Sequence, residues 1–125
     1  MPQNAKQAAQ IQKLRVEDIE WRQQVSRDTD ASDLVIKTTL VLNGTPHDGS
    51  IVTRAFLEFV PRCDVYAPKF EPAPKGKPGG TIRFSADLAS LPAMKPLLAQ
   101  DALFVTYSEE PDGGRNVVLS GAEYT

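Results

Sequence analysis

The sequence has one cysteine and one histidine among its 125 residues. Because Cys63 has no second cysteine to pair with inside the chain, the fold does not depend on an oxidising compartment. Zinc sites of the usual kind use several cysteine and histidine ligands, and the nucleophile-histidine arrangements of hydrolases need a partner that orients the ring. We therefore predict no catalytic, no cofactor-binding and no metal-binding residue. We interpret His47 as an exposed turn residue and Cys63 as a structural or incidental cysteine.

Long apolar runs and an excess of positive charge are also missing. No segment approaches the roughly 18 apolar residues of a membrane-spanning helix, and the first residues, Met1 to Lys6, lack the apolar core of a signal peptide. Lys and Arg number 14 against 16 Asp and Glu, with the two signs interspersed and a net charge of −2. Nucleic-acid binders need positive charge to neutralise phosphates. We expect a cytoplasmic protein with no membrane span and no nucleic-acid partner.

The composition fits one folded domain with a polar extension. The hydrophobic fraction is 41% and the charged fraction 24%, which are ordinary values for a globular protein. Residues 1–13 are rich in Gln, Ala and Lys and carry little apolar surface, so we predict a partly helical N-terminal arm there. Residues 14–125 are predicted to form a single β domain. Around Ile19 to Val25 the apolar spacing fits both helix and strand, and we favour a strand.

The clearest local prediction is a β-hairpin. Leu34 to Asn43 and Ile51 to Val60 both alternate apolar and polar residues, and the segment between them contains Asn43-Gly44 and Asp48-Gly49, which suit a chain reversal. Both strands also have apolar residues on their other face. This pattern predicts strands that are covered on both sides, as in two packed sheets.

The second half of the chain alternates connections with short regular elements. Pro61 to Gly80 contains many prolines and glycines, which predicts a long connection with at most a short edge strand at residues 64–67. The remaining elements are predicted as a strand at 81–88, a short helix near 93–100, and a final hairpin of strands 102–108 and 116–122.

The series of short strands with one short helix predicts an all-β fold. We expect an antiparallel β-sandwich, with meander or Greek-key connections, because a parallel α/β sheet needs repeated crossover helices. The pattern does not distinguish a sandwich from a barrel.

Two charged loops are the predicted contacts with a partner. One is basic and lies in the proline-rich connection, and the other is acidic and joins the last two strands. Their contact residues are Lys69, Lys75, Lys77, Glu109, Glu110 and Asp112. The basic loop departs from a phosphate-binding loop in its spacing, and it leads into a strand. The aspartates at 28, 30 and 33 lack the glycine and terminal glutamate of a calcium loop.

These observations favour a non-catalytic binding or structural module that acts through protein-protein contacts, either with a protein partner or by self-association. Such a module would suit a subunit of a viral or bacterial assembly, or an accessory domain. The alternative is a small inhibitor or effector that binds and blocks a host enzyme through its acidic loop. A third hypothesis, an enzyme that uses carboxylates alone, has no motif to support it.

Overall fold

The computed structural model of the chain describes residues 10–27, 34–77 and 79–121. It contains seven strands and one short helix, with two single 3₁₀ turns at Arg62–Asp64 and Leu88–Ser90. The strands and the helix, in chain order, are β1 Gln10–Arg27, β2 Leu34–His47, β3 Arg54–Val60, β4 Lys69–Pro72, β5 Gly80–Asp87, α1 Leu91–Leu98, β6 Leu103–Glu109 and β7 Arg115–Ser120.

All seven strands belong to one mixed sheet in the order β4-β5-β3-β2-β1-β6-β7. β5 runs parallel to β3, and every other pair is antiparallel. The sheet curls into a half-barrel, so that Phe70 on β4 and Tyr107 on β6 bring their rings within 6.0 Å although four strands separate them in the sheet. The buried residues of the core line the concave face of this sheet.

The predicted antiparallel sandwich is therefore wrong. Apolar residues on both faces of a strand suggested a second sheet, but the convex face is covered by its own neighbours. Val41 is 1% exposed and lies between Glu20 and Phe56 on the adjacent strands. Alternation shows that a face is covered without showing what covers it. The parallel β3–β5 pair was also not predicted, because it needs the return run that the short β4 provides.

β1 is a strand along its whole length, which confirms the strand predicted for residues 19–25. It contains a bulge between Val16 and Asp18, opposite Gly44 of β2. A β-carbon at Gly44 would lie 1.9 Å from the carbonyl oxygen of Arg15, so only glycine fits there. A bulge adds one residue to one strand and changes which residues face the core. Leu14 and Val16 face the core before the bulge, and Ile19 and Trp21 face the concave side after it.

Several predicted boundaries differ from the structure. Of the predicted arm, residues 10–13 belong to β1 and Lys13 is buried, whereas residues 1–9 lie outside the described part of the chain. β2 continues to His47, so the turn of the first hairpin lies at Asp48 and Gly49, which both have positive φ. The edge strand predicted at 64–67 is instead β4, five residues later, because a 3₁₀ turn occupies Arg62–Asp64.

The loop between β2 and β3 closes one end of the core. It places Val52, which is fully buried, among the apolar side chains of the concave face. The side-chain oxygen of Gln12 accepts hydrogen bonds from the backbone N–H groups of Ile51 at 2.9 Å and Val52 at 3.2 Å. The backbone N–H of Lys13 donates to Ser50 Oγ at 2.7 Å. The beginning of β1 thus belongs to the folded domain.

The short helix predicted near residues 93–100 is confirmed, two residues earlier than expected. α1 begins at Leu91, and Pro92 lies in its first turn, where a proline costs no hydrogen bond. Leu98 is buried in the core, and Leu91, Met94 and Leu97 pack against it. α1 therefore covers part of the concave face that no strand covers.

Leu40 is fully buried at the centre of the concave face and tests this core. Replacing it with Asp places a carboxylate among apolar side chains, at a cost of several kcal/mol, which is comparable to the whole stability of a small domain. We expect Leu40→Asp to abolish the cooperative thermal transition measured by circular dichroism. Val25→Asp is the control, because Val25 is 59% exposed and its replacement should lower stability by less than about 1 kcal/mol. Normal unfolding of Leu40→Asp would contradict the position of β2 in the core.

Candidate functional site: the free edge of β1

Among the residues that the structure describes, the second half of β1 has a strand on only one side. β2 pairs with β1 as far as Arg27, whereas β6 pairs with it only from Gln10 to Val16. Within the described residues, no strand pairs with the other side of β1 beyond Val16. We call this side of residues 18–27 the free edge. The backbone groups directed away from β2 there have no ladder partner in the described part of the chain, and such groups are a template for pairing with another strand.

The free edge continues beyond the body of the sheet as a two-stranded ribbon. β3 pairs with β2 only from Thr38 to Asn43, so the segments 24–27 and 34–37 pair only with each other among the described strands. An isolated two-stranded hairpin is marginally stable in water, and a third strand would stabilise it.

A cleft lies on the concave side of the free edge. We call it the Trp21 cleft. It encloses about 620 Å³ between the β1–β2 hairpin and α1, and it is lined by Trp21, Arg22, Gln23, Thr38, Leu91, Lys95, Leu98 and Ala99. An extended segment that pairs with the free edge would lie beside this cleft, between a strand and a helix. Other domains that bind peptides by strand addition use the pairing for affinity and the adjacent pockets for specificity.

Trp21 is the largest apolar side chain at this position. Its ring stacks on Phe59 of the core, with 6.4 Å between the ring centroids and an angle of 10° between the planes. Even so, 48% of Trp21 is exposed, and Val25, on the same face, is 59% exposed. The apolar face of the core therefore continues onto the ribbon without a cover among the described residues.

The convex face carries a network of charged and aromatic side chains. Tyr66 donates its hydroxyl proton to Glu58 at 2.5 Å, and Lys37 forms an ion pair with the same carboxylate. Burial alone would raise the pKa of Glu58, but the hydrogen bonds from Lys37 and Tyr66, together with nearby positive charge, hold it below its ordinary value of 4.5. Burial and the bond to Glu58 raise the pKa of Tyr66. The pKa shifts of Glu58 and Tyr66 thus come from burial and from the contacts within this network.

Two arginines enclose Phe56 on this face. The guanidinium carbons of Arg83 and Arg54 lie 4.6 and 5.9 Å from the centre of the Phe56 ring. Arg83 donates to Glu71 at 2.7 Å and Arg54 to Asn43 at 2.8 Å. Cations over an aromatic face shield its apolar surface from water. The arrangement explains how an apolar residue is accommodated on the convex side without a second sheet.

The six predicted contact residues fall into two groups. Lys69 begins β4, and Lys75 and Lys77 lie in the turn that follows it, all exposed. Glu109 ends β6, and Glu110 and Asp112 lie in the turn before β7. No hydrogen bond or ion pair among the described residues joins the two groups. Four of the six residues thus lie in turns, whereas Lys69 and Glu109 belong to strands.

Two of the acidic residues have structural contacts of their own. Glu109 accepts a hydrogen bond from the Tyr107 hydroxyl at 2.9 Å, and burial together with this bond raises the pKa of Tyr107. Asp112 accepts from the backbone N–H of Gly114 at 2.9 Å, which shapes the turn. On the basic side, the backbone N–H of Lys77 donates to the carbonyl of Pro74 at 3.0 Å. These loops are held in shape by local bonds.

His47 and Cys63 could act as a nucleophile or a metal ligand only together with other such side chains, and neither belongs to a group of metal ligands among the described residues. His47 is half-buried at the end of β2, with its ring 5.2 Å from that of Phe104, so the prediction of an exposed turn residue is wrong. Cys63 is exposed, and its thiol lies 3.7 Å from the carboxylate of Asp64. In the described ranges, no three His, Cys, Asp or Glu residues are grouped as metal ligands, and the aspartates at 28, 30 and 33 lie outside those ranges.

The lowered pKa of Glu58 predicts a dependence of stability on pH. A carboxylate whose pKa is lower in the folded state stabilises the fold above its unfolded pKa, and this contribution is lost as the pH falls through the folded pKa. We expect the free energy of unfolding of the wild type to fall below pH 4.5, and that of Glu58→Gln to fall less over the same range. Urea denaturation between pH 3 and 7 measures both, with Glu71→Gln as an exposed control. Parallel curves for the wild type and Glu58→Gln would contradict the network.

Comparison with known proteins supplies no relative: no protein-family model, no curated protein and no solved structure matches this chain. No described helix is long and apolar enough to cross a membrane. A function is therefore inferred from the geometry of the free edge and the Trp21 cleft.

Proposed function

We propose that this chain is a non-catalytic binding module that acts through protein-protein contacts, and that its binding site is the free edge of β1 with the adjacent Trp21 cleft. The partner supplies an extended segment that pairs with β1 and places an apolar side chain against Trp21. The observation that carries the proposal is the unpaired side of residues 18–27 next to a cleft bounded by a helix.

The backbone of the free edge supports strand addition. An added strand would satisfy N–H and C=O groups that already have a fixed, extended geometry, so little ordering of β1 is needed on binding. The side chains alternate between the two faces, as they must in a sheet. Arg22 and Glu20, on the convex side, form an ion pair at 3.1 Å, so they present little uncompensated charge to an incoming segment.

The cleft supports the apolar part of the contact. A tryptophan side chain presents roughly 200 Å² of surface, so the exposed 48% of Trp21 corresponds to roughly 100 Å². Burying that area would contribute about 2.5 kcal/mol at 25 cal/mol per Å². Lys95, on the helical side of the cleft, favours an acidic group at the end of the bound segment. Aromatic residues of this kind are common centres of binding energy.

The groups with shifted pKa values also support a non-catalytic role. Burial and hydrogen bonds to Glu58 and Glu109 raise the pKa values of Tyr66 and Tyr107. Burial alone would raise the pKa of Glu58, but hydrogen bonds from Lys37 and Tyr66 hold it below its ordinary value. The Lys37 contact joins two strands, the Tyr66 bond fixes β3 to the segment that follows it, and the Tyr107–Glu109 bond lies within β6. Their geometry supports a structural role, and a binding surface elsewhere on the sheet is consistent with it.

Selection of peptides on the immobilised protein tests the proposal without knowledge of the natural partner. A random peptide library displayed on phage is selected on protein attached at low density, so that neighbouring copies do not meet. We expect enrichment of segments in which apolar residues alternate with polar ones, because alternate side chains of an added strand face the cleft.

Matched variants decide where the selected peptides bind. Val25→Lys places a charge on the concave face of the ribbon, and we expect it to weaken binding about tenfold or more. Val65→Lys is the control, since Val65 is 45% exposed and lies in the connection after β3. Absence of enrichment, or equal binding by both variants, would contradict the proposed site.

A further inference from the structure

The central part of the free edge, residues 19–25, has no proline and no charged residue on its concave side. Natural edge strands carry prolines, bulges or charged residues that point towards the concave side. After its bulge, β1 has no proline, its concave-side positions 19, 21, 23 and 25 are Ile, Trp, Gln and Val, and a charged residue, Arg27, occupies such a position only at the end of the strand. Trp21 and Val25 are exposed there. These two exposed residues lie at equal distances on either side of Gln23, so a second copy of the same strand running in the opposite direction presents Val25 to Trp21 and Trp21 to Val25.

Two conditions limit the register of an antiparallel pair of β1 strands. Residues opposite each other share a face, so a concave-side residue of one copy must lie opposite a concave-side residue of the other. This condition requires the two-fold axis to pass through a residue position and not between two positions. β6 begins opposite Val16, so the second strand has to fit alongside residues 18–27. The centre of that range lies between Arg22 and Gln23. An axis at Trp21 would push the second strand into β6.

The choice between the two central residues follows from the partner that each axis gives to Trp21. An axis through Arg22 places Trp21 opposite Gln23 of the second copy, so that its exposed apolar surface meets an amide. An axis through Gln23 places two neutral amides opposite each other. It also places Trp21 opposite Val25 of the second copy, twice by symmetry, and aromatic residues opposite β-branched residues stabilise sheets.

We propose that a second copy of this chain occupies the free edge, with the two β1 strands antiparallel about a two-fold axis through Gln23 and residues 19–27 of each strand paired. The two sheets then form one continuous sheet, and the exposed surfaces of Trp21 and Val25 cover each other. The Glu20–Arg22 ion pair within each chain leaves the paired strands without uncompensated charge at these positions. This inference rests on the proposed function, because it assigns an occupant to the same edge.

Light scattering over a range of concentrations tests the occupant. We expect the full-length wild type and Val65→Lys to reach twice the monomer mass as concentration rises. Val25→Lys should remain monomeric, or dimerise with a dissociation constant raised about tenfold or more, since each interface would receive two lysines. Because Val25 is 59% exposed, the variant should keep the thermal transition of the wild type, which separates loss of pairing from loss of folding.

Cross-linking tests the register. In a Cys63→Ser background, Gln23→Cys places the two new thiols opposite each other, with about 5 Å between β-carbons. A short bis-maleimide should link them efficiently. Glu20→Cys is the control on the same strand, because its two copies are six residues apart along the sheet, or roughly 20 Å. Efficient linking at position 20 and not at 23 would overturn the register.

The outcomes separate this inference from the proposed function. A monomer at every concentration that still selects peptides through the Val25 face overturns the second copy and leaves the binding site intact. A monomer that also selects no peptides overturns both. A dimer that Val25→Lys does not weaken lies on another surface and overturns the inference.

Discussion

The bulge in β1 determines where both the core and the free edge lie. Before it, Leu14 faces the core and pairs with Val105 of β6; after it, Ile19 and Trp21 face the same concave side, although an unbroken alternation would have turned them outwards. Gly44 makes this possible, since its hydrogen lies where any β-carbon would meet the Arg15 carbonyl. One glycine on β2 thus keeps the whole of β1 in register with the core.

The same strand serves two purposes in its two halves. The first half is held on both sides, by β2 and β6, and the side chain of Gln12 also fixes the loop that carries Val52 into the core. The second half is held on one side only and contributes Trp21 as its main contact with the core. The first half of β1 therefore anchors the strand from which the open edge extends.

The local pattern of the sequence predicted strands but did not predict how they are arranged in the sheet. Alternation in Leu34 to Asn43 and Ile51 to Val60 predicted the β2–β3 hairpin, because register and face follow from residues close in sequence. The insertion of β5 between β3 and β4 depends on contacts across the proline-rich connection, which alternation does not describe. The sandwich prediction failed for a related reason, since arginines over Phe56 replace a second sheet.

The proposed binding site was not predicted from the sequence, for a geometric reason. The period-two pattern placed Trp21 and Val25 on one face but did not show how far β6 and β3 extend alongside β1 and β2. Exposure of an apolar strand depends on the lengths of its neighbours, and those lengths are set elsewhere in the chain. A two-stranded ribbon such as that of segments 24–27 and 34–37 is marginally stable on its own. A third strand would stabilise it, and the proposed binding at the free edge supplies such a strand.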